Sequence, residues 1–322
     1  MLTIARHPLT RRLVEAVLTL FGVALLVFVM LRAIPGNQIT ATLGTEAAAL
    51  TPDQQASLRA YYGLDKPLPV QFFFWLGNLF TGNLGFSRRA GESVLTMTQS
   101  ALPVTIELAI LATVVGLAIG VPLAMLSASR PNGARDGVGQ FIGLLALSVP
   151  NFLIGATLLT LVSKYAHYNP NASQFAHLTD DPGLNLQQMM FPALVLGFGL
   201  AAPIMRTARA ALLEVSTQDF MRTARGKGVP PMRLRVRHLL HNALNPIVTM
   251  TGIQFGYLLG GAVVVEQIFS VPGVGRQVLV GMQQKEYAVV QSTVLIIATT
   301  FVLVNLLTDL LYRVIDPRVR AS

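Results

Sequence analysis

The chain has 322 residues, 52% of them hydrophobic and only 12% charged, with no cysteine and a net charge of +9. Mean hydropathy is +0.57 and the isoelectric point is near 10.3, far from soluble domains, in which charged residues make up about a quarter. Most soluble enzymes are excluded, as are disulfide scaffolds and thiolate chemistry, and the basic excess leaves a nucleic-acid surface or the inner loops of a membrane protein.

The first apolar segment covers 13–31. Arg11 and Arg12 precede it as they would a signal peptide, but its uncharged stretch, 16–31, exceeds the usual length of about 7–15 residues. Residues 31–37 also offer no small-x-small cleavage site, so a retained helix is expected. An outer region, 35–100, follows and is too long for a bare connection. There Thr51-Pro52-Asp53-Gln54 has the spacing of a capping box with proline at the first helical position, and Gly63 supplies a stop. A second helix is expected over 70–80, with Phe72, Phe73, Phe74 and Trp75 at the membrane interface.

Five more apolar segments cover 101–126, 138–162, 189–205, 246–265 and 288–311. Crossing a hydrocarbon core about 30 Å thick takes roughly 20 helical residues. Only 189–205 is short, and it extends through Gln187 and Gln188 at one end and Thr207 and Ala208 at the other. Helices are expected throughout, because a lipid-facing backbone must satisfy its own hydrogen bonds, despite Pro103, Pro122, Pro150, Pro192 and Pro203.

Between the fourth and fifth segments lies the longest inner stretch, 206–245. Ser216-Thr217-Gln218-Asp219 reads as the start of a capped helix over 217–225, which Gly226 and Gly228 stop. Pro230-Pro231 then opens a second helix carrying Arg233, Arg235, Arg237, His238 and His241. Two short helices hinged at glycine and tied to spans at both ends make a rigid knob. The next loop, 266–286, is broken by Ser270-Val271-Pro272-Gly273-Val274-Gly275 and is expected to dip back toward the bundle.

Six spans put both termini on one side. With that side inside, sixteen of the 24 Lys and Arg are inner, and the positive-inside rule selects this orientation. The same distribution argues against nucleic acid, since the basic residues divide among loops instead of forming one face. The domain reading is an inner tail 1–12, a first helix 13–34, the outer insertion 35–100, a five-helix core 101–312 and an inner tail 313–322.

Asp219-Phe220-Met221-Arg222-Thr223-Ala224-Arg225-Gly226-Lys227-Gly228, followed by His238 and by Asn242-Ala243-Leu244-Asn245-Pro246, resembles the coupling loop of permeases of ABC importers in the dipeptide, oligopeptide and nickel group. Tyr62-Gly63-Leu64-Asp65-Lys66-Pro67, Gly82-Asn83-Leu84-Gly85-Phe86-Ser87, residues 266–275 and residues 309–318 resemble further signatures of that group, in family order. Asn83 departs from the family's usual aspartate, and 167–186 matches no pattern. The likeness is greatest to the first of the two permease subunits.

The resemblance implies an all-α, polytopic protein of the type I ABC-importer permease fold in a bacterial or archaeal cytoplasmic membrane, with a helical outer insertion. It implies a homologous second permease, two ATPase subunits or domains, an extracytoplasmic binding protein and surrounding membrane lipid as partners, without nucleic acid. No Gly-x-x-x-x-Gly-Lys-Ser/Thr loop is present, so ATP and Mg are expected in the ATPases and no catalytic or metal-binding residue in this chain. The knob residues Asp219, Phe220, Arg222, Thr223, Ala224, Arg225, Gly228 and His238 would receive the ATPase, with Phe220, Thr223 and Ala224 sharing a face by helical spacing. Phe269, Pro272, Gly273 and Gly275 mark the outer loop.

Polar groups in a low-dielectric passage are functional candidates, which singles out Glu107, Asn151, Gln254 and Glu266 for the substrate path. Dipeptides or oligopeptides are the expected cargo, with a nickel chelate or glutathione as alternatives. A secondary transporter and an intramembrane protease are rival classes. The first lacks an inverted repeat here, and the second lacks Gly-x-Ser-Gly and His-Glu-x-x-His.

Overall fold

A computed structural model describes residues 8–33, 50–61, 65–166, 169 and 174–315. Gly63, His167, the motif beyond residue 315 and the Asp309 and Arg313 side chains lie outside what is described. The chain divides into two compact units, Met1–Pro103 with Pro272–Val302, and Val104–Val271 with Leu303–Ser322.

In chain order the first unit begins with α1 (Pro8–Ala33), α2 (Pro52–Tyr61) and α3 (Leu68–Phe80). The capping box of α2 forms as the spacing predicts: Gln54 N–H donates to Thr51 Oγ1 at 3.3 Å and Thr51 N–H to Gln54 Oε1 at 3.0 Å. Against α1, α3 packs through Phe72, whose ring lies edge-on to Phe28 at 5.2 Å. Only Phe73 and Phe74 of the aromatic run point outward, 63% and 58% exposed, so the expected interfacial cluster is divided between packing and anchoring.

A two-stranded hairpin, β1 (Phe86–Ser87) paired antiparallel with β2 (Glu92–Ser93), leads into α4 (Val94–Ala128). The outer loop of this unit contains α12 (Val274–Gln283), and the last helix, α13 (Tyr287–Ile315), starts here.

In the second unit α4 continues, followed by α5 (Ala134–Ser148), α6 (Asn151–Ala166) and α7 (Pro182–Ser216). Asp181 caps α7 by accepting from Leu184 N–H, with Pro182 in the first turn. Next come α8 (Asp219–Gly226) and α9 (Pro231–Arg233), which runs on as a π-helical stretch over Leu234–Leu240. Then come α10 (Leu244–Gly261) and α11 (Val263–Ile268).

At the centre of this unit stands α7: 67% of its most apolar stretch is buried, against 17% for α1. Small residues let neighbours approach it, as expected where lipid supplies no hydrophobic drive between helices. A Cβ on Gly197 would stand 2.7 Å from the Ala112 carbonyl, and one on Gly120 2.7 Å from the Ala201 carbonyl, so α4 and α7 touch backbone to backbone.

Among the described residues four helices are long and apolar enough to cross a membrane, and α5 with α6 make a fifth if that pair is one span. This differs from the six expected in two places. Pro150 bends α5 against α6 by 93° because it forces Val149 into an extended conformation. The segment expected at 246–265 forms an 18-residue α10 that ends at Gly261, its apolar run diluted by Asn245, Gln254 and glycines.

Candidate functional site

At 35 residues, α7 is about 52 Å long at 1.5 Å per residue, well beyond the hydrocarbon thickness of about 30 Å. The stretch read as a loop from Arg206 is therefore helical up to Ser216, and the knob sits on the end of a continuous rod. The short helix begins at Asp219 without the expected side-chain cap, because the Ser216 and Thr217 hydroxyls instead donate back to the Leu213 and Glu214 carbonyls of α7.

One side chain fastens α8: Met221, 1% exposed, inserts into a cluster formed by Met205, Ala208, Ala211, Leu212 and Val215 of α7, Ala243, Ile247 of α10 and Ala124 of α4. Ala224, 8% exposed, is buried as well. Full burial of a methionine side chain stabilises by about 1.5–3 kcal/mol.

The end of α8 is equally defined. Val229 N–H donates to the Ala224 carbonyl at 3.2 Å and Gly228 N–H to the Arg225 carbonyl at 3.0 Å, while Gly228 adopts φ +72°. That is a Schellman stop, and the left-handed residue in it favours glycine. Nothing lies within 4 Å of a Cβ built at Gly228, so the requirement there is conformational, not steric.

The exposed face of α8 consists of Asp219, Phe220, Arg222, Thr223 and Arg225. Ala224 is not on it: the expected shared face with Phe220 and Thr223 is corrected by the roll of the helix, which turns Ala224 inward beside Met221. Phe220, 38% exposed, is an apolar group offered to the outside. Arg222 lies 3.6 Å from Asp219 in a fully hydrated pair that contributes little stability. His238 lies half-buried in the π-helical stretch, where its carbonyl accepts from Asn242 Nδ2 at 2.6 Å. Such wide turns recur at functional sites.

The four polar residues proposed for a passage are treated differently by the fold. Glu266 is 0% exposed and accepts from the Thr105 hydroxyl at 2.7 Å, inside its own unit. It is an internal brace between α11 and α4. Glu107 is half-buried and its Oε2 meets Asn185 Nδ2 at 3.4 Å. The same Asn185 nitrogen donates to the Ala176 carbonyl, and Gln188 accepts from Ala176 N–H, so α7 clamps the loop that matched no sequence pattern. Asn151 is half-buried against Gly199, where a Cβ would stand 2.5 Å from its Oδ1. Gln254 is half-buried on α10.

Sequence reading missed the strongest polar contact. Asp136 is 1% exposed and accepts from the Ser127 hydroxyl, from Asn132 N–H at 2.9 Å, from Gln140 Nε2 at 3.0 Å and from Arg209 Nε and an Arg209 terminal nitrogen at 2.7 and 2.6 Å. The two-pronged Arg209 contact ties the α4–α5 turn to α7. With the partners 73 positions apart, no local spacing could reveal it. Among the described residues no group of three or more His, Cys, Asp or Glu could hold a metal ion.

In the first unit the Gly82–Ser87 motif folds onto the start of α13. Glu286 accepts from the Ser87 hydroxyl at 2.7 Å and from Arg89 N–H at 3.1 Å, and the Ser292 hydroxyl donates to the Leu84 carbonyl at 2.7 Å. Asn83 Oδ1 accepts from Gly85 N–H, a bond that an aspartate oxygen would make equally, which accounts for the departure at that position. Of the outer-loop residues, Gly273 precedes α12, Gly275 is buried in its first turn and Pro272 is half-buried. Phe269, described with the second unit, is buried, and its ring stands 3.4 Å from a Cβ built on Gly155.

The profile of a family described as binding-protein-dependent transport system inner membrane component matches residues 120–321, and that of its N-terminal region matches residues 6–109. The chain is similar to the dipeptide transport system permease protein DppB of Escherichia coli K12, 35% identical over 332 residues, covering 96% of this chain and 97% of the relative. It is 38% identical over 306 residues to a peptide permease protein of Brucella ovis, covering 94% and 95%. It is 35% identical over 310 residues to the glutathione transport system permease protein GsiC of Pectobacterium atrosepticum, covering 96% and 97%. Among solved structures, the inward-facing MetNI methionine ABC transporter matches with a TM-score of 0.55 and 20% identity, over 72% of this chain and all of that one. This likeness concerns the fold.

Proposed function

The chain belongs to the family of binding-protein-dependent transport system inner membrane components, and from that premise we propose that it forms half of the passage of an ATP-driven peptide importer. It is a multi-pass inner-membrane permease of the ABC-importer class. The single observation that carries the peptide reading is full-length similarity to a dipeptide permease. Glutathione, itself a small peptide, is the second reading, favoured by a relative of equal identity.

In this reading both termini are cytoplasmic and α10 with α11 provides the sixth crossing. A homologous permease completes the passage, two ATPase subunits or domains bind ATP and Mg below it, and an extracytoplasmic binding protein delivers cargo. This chain itself holds no cofactor. The exposed face of α8 receives the ATPase, and its fastening to α7 and α10 through Met221 carries the ATPase's movement into the spans. Two discrete packings of rigid helices then alternate access, and the mechanical requirement is that the knob move with its rods and not apart from them.

The test is transport by the complete complex in proteoliposomes, supplied with its binding protein and a panel of dipeptides, longer peptides, glutathione and a nickel chelate. ATP-dependent accumulation of dipeptides or oligopeptides is expected. Accumulation of glutathione alone would move the assignment to the second reading, and of the nickel chelate alone would refute both.

A further inference from the structure

We propose that the first unit carries a binding site for an anionic phospholipid of the outer leaflet, with its phosphate at Arg32 and Lys66 and an acyl chain along α1. Two adjoining hollows meet at Arg32. One is an apolar groove of about 470 Å³ whose walls include Phe21, Leu25, Phe28, Val29, Phe72 and Phe73 of α1 and α3. The other is a cavity of about 620 Å³ lined by Arg32, Lys66 and Arg88 together with Trp75, Asn78 and Tyr287. Arg32 belongs to both.

Length favours a lipid. From Phe21 to Ala33 the groove follows α1 for about 18 Å at 1.5 Å per residue, close to half of a hydrocarbon core about 30 Å thick, the depth of one leaflet. Its walls are almost wholly apolar, and α1 is the least buried of the long apolar helices among the described residues, which leaves the groove open on this chain to a lipid tail.

Charge supplies the other end. The Arg32 guanidinium lies 3.6 Å from the centre of the Phe28 ring, and its Nε donates to Gln71 Oε1 at 3.1 Å. Gln71 Nε2 in turn donates to the Lys66 carbonyl at 2.8 Å, which joins the two cation-bearing segments. Among the described residues the Arg32 terminal nitrogens have no acidic partner. Glu286 also lines the cavity, where it accepts from the Ser87 hydroxyl and Arg89 N–H, and it is outnumbered there by Arg32, Lys66 and Arg88. A guanidinium and an ammonium lining one cavity, next to an aromatic run of which Phe73 and Phe74 point outward, suit a phosphodiester. Cations at such a place favour anionic over zwitterionic headgroups.

The experiment uses the full chain, in the complex in which it is purified, delipidated in detergent and analysed by native mass spectrometry. The probes are phosphatidylglycerol, phosphatidylcholine with the same tails, and tail-free glycerophosphoglycerol. Phosphatidylglycerol is expected to be retained preferentially, with Lys66→Gln lowering that preference about fivefold. Arg32→Lys should keep most of it and Arg32→Gln should lose it. Leu25→Trp, which fills the groove, should reduce retention of both lipids. Should Arg32→Gln fail to fold, exposed Lys66 alone decides the matter. Equal retention of the two lipids, equal binding of the tail-free headgroup, or no effect of Lys66→Gln overturns the proposal. So does a loss of binding-protein-stimulated ATP hydrolysis in Lys66→Gln with lipid preference intact, which would assign the surface to a protein.

Discussion

Two fastenings hold the C-terminal half of α7, and they are chemically opposite. The Asp136 corner is joined to it by the two charge-assisted hydrogen bonds of Arg209, whereas α8 is joined through the apolar side chain of Met221, with no ion pair to α7 among the described residues. A buried polar lock tolerates almost no displacement, because separating it leaves a bare charge. An apolar plug resists removal but leaves every polar group of α8 outside, available to a partner. Rigidity belongs to the corner, and the knob leaves its polar face open to the proposed partner.

The largest expected effect breaks the corner. Arg209→Ala leaves Asp136 buried without its cation and should cost about 3–5 kcal/mol, read as a large fall in the thermal unfolding temperature of the detergent-solubilised complex. Arg209→Lys should recover little of it, since an ammonium cannot make both bonds. Full stability in either variant would show that the corner is not the rigid point.

Breaking the plug should cost less. Met221→Ala empties a filled site in the second unit and is expected to destabilise by about 2–5 kcal/mol, toward the lower end because α8 is peripheral and can settle. Its distinctive sign is functional: ATP hydrolysis should continue while peptide uptake falls, since the ATPase would move a loosened knob. Equal losses of the two would mean that the plug transmits nothing.

Smaller still is Gly228→Ala. With open space around a Cβ and φ +72°, the penalty is that of the left-handed conformation, about 1 kcal/mol. Faster amide exchange confined to α8 and the residues after it would be the observable, with the unfolding temperature of the complex barely moved.

These two regions also differ in how far the amino-acid sequence reveals them. The knob's punctuation is local: Gly228 stops α8 within a few residues of where it starts, just as Thr51 and Gln54 announce α2 by a three-residue spacing. Helical spacing correctly groups Phe220, Thr223 and Ala224 on neighbouring positions, but cannot say which edge of the group faces inward. That depends on Met221 finding the hollow between α7 and α10. The corner is illegible because its partners lie 73 residues apart, and the hairpin's bond to Glu286 spans 199. Nor does an acid in an apolar segment announce its partner: Glu266 is buried and bonded to Thr105, 161 residues away. Hydropathy likewise locates α10 without showing that it ends at Gly261 and resumes as the separate α11.

Because the chain has no cysteine, the claim that the outer face of α8 receives the ATPase can be tested without removing any native thiol. Single Phe220→Cys, Thr223→Cys and Ala224→Cys variants would be assembled into the full complex, each with one cysteine on the facing ATPase surface, and oxidised. Disulfide-linked permease–ATPase is expected at positions 220 and 223 and not at 224, whose side chain is turned into the protein. Cross-linking at 224 equal to that at 220, or none at 220 and 223 in a complex that still transports, would contradict the account.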